Sequence, residues 1–395
     1  MSIPQGFRVA GVHCGIKRSA AKQDLTLIIS DRPAAAAGVY TTNQVIAASV
    51  IWNRALTPAA DVRTVVINSG NANACTGQSG NDDAQSMARA AAVVANAAEK
   101  QCLVLSTGII GTFLPMDKIL AGIREAAEQL GDDQQAMINA ARGMLTTDTV
   151  HKLSTRELNV GGRDVRITGM AKGAAMIGPN MATMLAVVLT DAPLEPADAQ
   201  AALSQVVDVS FNCIHVDGHM STNDTVLLVA NGAAGGSPLC GDDLSTFAAA
   251  LREVCIELAR SIPADGEGAT HLITLDVTGC QSVADARKIA RTVADSPLVK
   301  TAVTGGDPNW GRIVSAAGYA GVAFDPDGVD LSINDFVLYE QGRPVEFDAA
   351  QVSASIRGNR DTHIALRFRE GDASVRFWTT DLTAEYIRLN ADYHT

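Results

Sequence analysis

Apolar positions recur along this chain with two periods, one of strands and one of helices, and the segments they mark alternate from end to end. Residues 25–29 (Leu-Thr-Leu-Ile-Ile) and 38–42 (Gly-Val-Tyr-Thr-Thr) read as strands. Residues 62–67 form a third, running into the Asn- and Gly-rich stretch 68–77. Asn81-Asp82-Asp83 predicts the start of an alanine-rich amphipathic helix ending near Lys100. Leu103-Val104-Leu105 predicts a strand, followed by helices over 115–130 and 133–143 and a short strand over 165–168. The turn Gly178-Pro179-Asn180 then feeds an apolar run over 181–189, the pattern of a buried strand entered from a tight turn. Glu195-Pro196 opens a helix to Val209, and residues 211–218 read as strand and turn. Beyond them come a strand at 226–230, a helix at 242–261, a strand at 272–277 and a helix at 281–295. Strands at 362–369 and 373–379 and a helix at 383–388 complete the series. Strands and helices mix on both sides of residue 183, with no low-complexity tract or short-period repeat, so the fold class is layered α/β (α+β).

Composition narrows the function classes. A chain of 395 residues with 47% hydrophobic content can bury a large core, while 4% aromatics beside abundant Ala, Val and Gly favour closely packed layers. The net charge of −12 and the dispersed Lys and Arg argue against nucleic acid or an anionic membrane as partner, but leave small anionic substrates open. No apolar run reaches the roughly 18–20 residues of a membrane helix, and residues 1–6 lack the basic-then-apolar pattern of a secretory signal. Seven cysteines without a CxxC pair fit buried thiols in a reducing compartment. The expectation is a cytoplasmic protein.

Several stretches carry candidate chemistry, each with a plain structural alternative. Ser106-Thr107-Gly108 sets a side-chain hydroxyl beside an unhindered backbone N–H, the pair an oxyanion hole needs; a strand-to-helix turn explains the same residues. The 68–77 stretch can aim N–H groups at an anion or serve as a loop. Thr146-Thr147-Asp148-Thr149 can cap or contact a ligand, and Glu267 sits between glycines in a loop where a solvated glutamate is unremarkable. Asp307 and Arg312 are expected to pair across their turn. His215 and His219 are too few for a metal site, and no Walker or dinucleotide glycine fingerprint precedes a helix. Thr183 is either an ordinary strand residue or, if the chain cuts itself after Ala182, a nucleophile carrying its own α-amine base.

Seven segments in order resemble the ornithine acetyltransferase (glutamate N-acetyltransferase, ArgJ) family. They are residues 38–43, 68–77, 106–111, 172–191, 217–226, 307–312 and 390–395, spanning nearly the whole chain. The resemblance implies an α/β/β/α sandwich similar in layering to N-terminal-nucleophile hydrolases but connected differently. It also implies self-cleavage between Ala182 and Thr183 into an α chain of 1–182 and a β chain of 183–395, assembled as α2β2. It makes Thr183 the nucleophile, Thr107 and Gly108 the oxyanion hole, and Thr146, Lys172, Thr183, Glu267, Asn390 and Thr395 the substrate contacts. The implied reaction moves an acetyl group from N2-acetylornithine to glutamate through an acetyl-threonine, with no cofactor or metal. Acetyl-CoA is an optional co-substrate for glutamate acetylation that no single residue decides. The chain departs from the family pattern at Ala174-Ala175, His219, Met220 and His394, which bears on substrate range. The competing readings are a self-cleaving N-terminal-threonine amidohydrolase or aminopeptidase, in which water takes the acyl group, and a non-catalytic metabolite-binding paralogue.

Overall fold

The computed structural model describes residues 2–178 and 184–392; the predicted junction Ala182-Thr183 and the tail contact Thr395 lie outside the described residues. Eight strands make the first sheet: β1 (Phe7–Val12), β2 (Leu25–Tyr40), β3 (Ala59–Asn71), β4 (Cys102–Ile109), β5 (Lys152–Val160), β6 (Arg163–Lys172), β7 (Leu185–Thr190) and β8 (Thr225–Ala230). Their order is β4-β3-β2-β8-β7-β6-β5, with β1 also paired to β2.

The two strands predicted at 25–29 and 38–42 are one bent strand, β2. Its first half pairs with β1 and β3; its second half pairs with β8 and, at Ala34 and Ala36, still with β3. Between the halves Asp31, Arg32 and Pro33 are exposed and the register against β3 shifts. A bulge with a proline that donates no ladder bond bends the strand there. The sheet therefore folds over on itself. Ile28, Ile67 and Leu105 from one half share a core with Met170, Val187 and Leu227 from the other.

Helices cover both outer faces. Val66 and Val104 pack with Met87 and Ala91 of helix Gly77–Ala95 and with Ile119 and Ile123 of helix Met116–Glu128. On the opposite side Val188 and Val226 pack with Leu203 of helix Pro196–Asp208 and with Leu251, Val254 and Leu258 of helix Gly241–Ala264. This is the expected order of helix, strand, strand, helix. Fully burying a side chain such as Leu251 stabilises by about 1.5–3 kcal/mol, so the layers hold by summed apolar burial.

A second sheet extends that last core. It contains β9 (Leu272–Cys280), β10 (Asp330–Ile333), β11 (Phe336–Glu340), β12 (Arg343–Pro344), β13 (Asp361–Arg367) and β14 (Ala373–Thr380), in the order β12-β11-β10-β13-β9-β14. Ile273, Leu275, Val277 and Phe377 join the cluster around Leu251, while Asp276, His363 and Arg376 bond one another on the other face.

Other expectations need correction. The helix predicted from Asn81 starts at Gly77 and ends at Asn96, whose left-handed φ of 48° closes it before Lys100. The 68–77 stretch is strand as far as Asn71 rather than loop. The strand at 165–168 is one arm of the β5–β6 hairpin, whose partner β5 the pattern missed because half-exposed residues interrupt its alternation. Residues 211–213 form a 3-10 turn, not strand. Arg312 does not pair with Asp307: its Nη1 donates to the Leu298 carbonyl at 2.9 Å, and Asp307 accepts from Asn309. Cys75 and Cys240 are exposed, so the thiols are not uniformly buried.

Candidate active site

Strands β4 and β6 bring the first predicted residues together. Thr107 and Gly108 lie at the end of β4, and Lys172 is the last residue of β6. In parallel register with β3, Gly108 sits opposite Gly70. Its φ of +129° and the Gly70 carbonyl against its Cα leave no space for a side chain, which is why glycine stands here.

Lys172 is buried, and its Nζ donates to Thr107 Oγ1 at 3.1 Å. A hydroxyl that accepts from an ammonium keeps its own proton for another acceptor, and the cation polarises it. Burial pulls the Lys172 ammonium below its usual range, opposed by the carboxylates of Asp148, Asp224 and Glu267.

These three residues open onto a cleft of about 320 Å³ that Thr146, Glu267 and Asn390 also line. Every predicted site residue within the described part of the chain is thus in one cavity. Asn390, on helix Ala384–Asp392, donates from Nδ2 to Glu267 Oε2 at 2.9 Å and orients the glutamate that sequence left in an open loop. His219, flagged as a departure, lines the same cleft, as does Ala175. Met220 does not line it: Thr42 and Asn43 hold it through its sulfur and carbonyl.

The structure adds residues the sequence did not single out. Asp217 accepts from the Met176 and Ile177 backbone N–H groups at 2.6 and 2.9 Å and from the Tyr386 hydroxyl at 3.1 Å. It thereby fixes the segment that follows Lys172. The Asp217-Gly218 turn was visible in sequence, but its partners lie 40 and 169 residues away.

Asp224 is fully buried before β8 and accepts from the Met184 N–H at 2.9 Å, next in chain to Thr183. Burial holds its carboxyl well above the usual range, against the opposing Met184 hydrogen bond and Lys172 charge.

Beneath the cleft, Lys152 Nζ bridges Asp148 Oδ1 at 2.7 Å and Asp265 Oδ2 at 2.6 Å, all three side chains buried. Asp148 also accepts from the Thr146 and Gly173 N–H groups, and Asp265 from the Thr149 N–H. One ionic network thus ties down the loop bearing Thr146, the chain leaving β6 just after Lys172 and the helix end that precedes Glu267. Burial alone would raise the Asp148 carboxyl, but the charges of Lys152 and Lys172 lower it to about 2.

The arrangement suits stabilisation of a developing oxyanion. Thr107→Val removes one donor while keeping shape, so kcat for acyl transfer is expected to fall about 10²–10³-fold with KM little changed. Steady-state kinetics of the purified variant checks this; an unchanged kcat would remove Thr107 from the chemistry.

Comparison with known proteins follows the same lines. The ArgJ family matches residues 8–395. The chain is 47% identical over 396 residues to the arginine biosynthesis bifunctional protein ArgJ of Rhodopirellula baltica, covering 100% of this chain and 96% of that one. The protein of the same name from Symbiobacterium thermophilum is 46% identical over 398 residues, covering 100% and 98%. The crystal structure of arginine biosynthesis bifunctional protein ArgJ from Bacillus halodurans is 38% identical, with a TM-score of 0.50 over 51% of this chain and 96% of that one. Among the described residues, no helix is long and apolar enough to cross a membrane. With a family match over almost its entire length and full-length relatives above 40% identity, this chain belongs to the ArgJ family.

Proposed function

We propose that this chain is a self-processing acetyltransferase of arginine biosynthesis, moving an acetyl group from N2-acetylornithine to the α-amine of glutamate through Thr183. The observation that carries the reading is the convergence of Thr107, Gly108, Thr146, Lys172, Glu267 and Asn390, from five separate stretches of chain, on one cleft. The names of the relatives, arginine biosynthesis bifunctional protein, support the same assignment.

In this mechanism the Thr183 hydroxyl first attacks the Ala182 carbonyl, and the ester hydrolyses to free the Thr183 amine. A free α-amine has a pKa of about 8 and can relay a proton near neutrality. The same hydroxyl then attacks the acetyl carbonyl of acetylornithine while Thr107 O–H and Gly108 N–H hold the oxyanion. Ornithine leaves, glutamate enters, and its amine takes the acetyl group. Lys172 serves a substrate carboxylate and the Thr107 hydroxyl; Glu267 faces the side-chain cation of ornithine.

Cleavage after residue 182 is compatible with the sheet. β7 and β8, from the 183–395 part, lie between β2 and β6 of the 1–182 part, so ladders on both sides hold the two products together. The solved Bacillus halodurans chain, matched over 96% of its length by 51% of this one, is about the size of one such product. Assembly as α2β2 and action in the cytoplasm belong to the same proposal.

Initial rates with both substrates varied test it. Parallel double-reciprocal lines, with acetyl recovered on glutamate, are expected of a covalent two-step exchange. Release of free acetate at the same rate without glutamate would make the protein a hydrolase instead.

A further inference from the structure

Lys300, on helix Pro297–Thr304, is 3% exposed and does not line the catalytic cleft. Its Nζ donates to the Val216 carbonyl and, at 3.2 Å each, to the hydroxyls of Thr379 and Thr380. Three protons thus meet three acceptors, none of them charged. Burial pushes the ammonium down to about 8, against the carboxylates of Asp217, Asp295 and Asp381. An ammonium buried among neutral acceptors costs solvation that an apolar side chain of the same length would not. The core here, which Val299 and Val303 of the same helix join, therefore does not itself call for a lysine.

What the lysine holds is a junction. Val216 precedes Asp217, and the N–H groups of Val216, Asp217 and Gly218 all donate to the Ile177 carbonyl, at 2.8, 3.2 and 3.1 Å. Asp217 in turn accepts from the Met176 and Ile177 N–H groups and from the Tyr386 hydroxyl. Thr379 and Thr380 end β14, and the chain runs on through Asp381 into helix Ala384–Asp392, which carries Tyr386 and Asn390. Thr304, one turn beyond Lys300, sits against the same run, its hydroxyl 3.2 Å from Asp381 Oδ2 and 2.9 Å from the Leu382 carbonyl. The two arms that leave Lys300 meet again where Tyr386 reaches Asp217. Met176, Asp217, Tyr386 and Asn390, which those arms hold, all line the cleft.

We infer that Lys300 is a positioning residue for acyl transfer: its ammonium closes a ring of contacts, through Val216 and Asp217 on one side and Thr380 and Tyr386 on the other, that sets the amino-acid-binding wall of the cleft. The inference rests on the proposed acetyl-threonine reaction and adds to it a residue outside the cleft. Asn390, on the far arm, orients Glu267, so slackening the ring at its root moves the groups that meet the substrate's charged ends. Thr107, Gly108 and Lys172 lie on β4 and β6, where strand ladders hold them instead. Loss of the ammonium therefore acts on substrate binding more than on the reacting groups.

Lys300→Met keeps the stem and removes the ammonium. In initial-rate assays of the full chain, the KM values for acetylornithine and for glutamate are both expected to rise about tenfold while kcat falls less than about threefold, the pattern of lost binding. A lysine that only stabilised the fold would do the reverse, since a smaller folded fraction lowers kcat and leaves KM alone. Tyr386→Phe opens the ring at its other end, on a half-buried side chain, and should raise the same KM values about fivefold. In the double variant the effects should overlap, leaving KM within about twofold of Lys300→Met alone, because residues that act through one partner are not additive. If Lys300→Met does not fold, Lys300→Gln, which keeps an N–H for the Val216 carbonyl, is read by the same KM values and the same cycle. Unchanged KM in the Lys300 variant, or effects that multiply in the double variant, would overturn the inference while leaving the acetyl-transfer reading standing. Wild type that moves no acetyl group from acetylornithine to glutamate would remove that reading, and this inference with it.

Discussion

Thr183→Ala protein is expected to purify as a single uncut chain of 395 residues, where wild type gives two fragments meeting between Ala182 and Thr183. The variant keeps the backbone and loses only the hydroxyl and methyl, so folding is expected to survive. Both self-cleavage and acetyl transfer should stop, since one hydroxyl serves both as nucleophile and neither the freed amine nor the acetyl-ester can form. Removing a nucleophile from a covalent mechanism typically costs about 10⁴–10⁶ in rate, the largest effect expected of any single change here. Intact mass spectrometry reads the first consequence and the transfer assay the second. Uncut wild type would make Thr183 a strand residue and end the enzymatic reading. A cut Thr183→Ala variant would place the nucleophile elsewhere.

Lys152→Met is expected to cause the second-largest change, and in stability first. The substitution keeps chain length and apolar stem but removes the cation between Asp148 and Asp265, whose side chains are 0% and 7% exposed. Two buried carboxylates then lose the cation they share, with Asp148 keeping only the charge of Lys172, and breaking a buried pair in this way costs about 3–5 kcal/mol. Urea unfolding in the uncleavable Thr183→Ala background keeps a single chain in both states and measures the difference directly.

Its pH dependence has a definite sign. The folded-state pKa of Asp148 is depressed to about 2, so its stabilising contribution is present above the unfolded carboxyl pKa of about 4. That contribution is lost as pH falls toward 2, and the gap between wild type and variant should be full at neutral pH and close on acidification. Because Asp148 also holds the Thr146 and Gly173 N–H groups, transfer activity should drop with stability. A loss under about 1 kcal/mol at neutral pH would mean that water screens the network as it screens a surface pair.

Much of the site was legible in sequence. Thr107, Gly108, Thr146 and Glu267 were noticed from residue type and loop position, and these four with Lys172 and Asn390 were given site roles by the family resemblance; all six line one cleft. Asp217, Asp224 and the Asp265 half of the Lys152 bridge were not named, because their work is done on partners far away in the chain, whereas the other half of the bridge, to Asp148, spans four residues. Asp265 and Lys152 are 113 residues apart, and nothing local marks either as ionic. The Asp307–Arg312 pair failed for the opposite reason: proximity in sequence suggested a bond that the turn geometry gave to Leu298 instead.

Apart from the role of Thr183, which rests on the family resemblance, the sequence by itself determined the fold class and most of the helices. Those depend on periodicity, caps and residue type, which are local properties of the chain. Only the tertiary structure decided that β2 bends to serve both layers and that β7 and β8 insert between strands from the other side of residue 183. The bulge at Asp31-Arg32-Pro33 looks like an ordinary break between two strands until both halves find their neighbours. Packing of apolar faces across the fold selects that closure, and the pairing of distant buried charges follows from it.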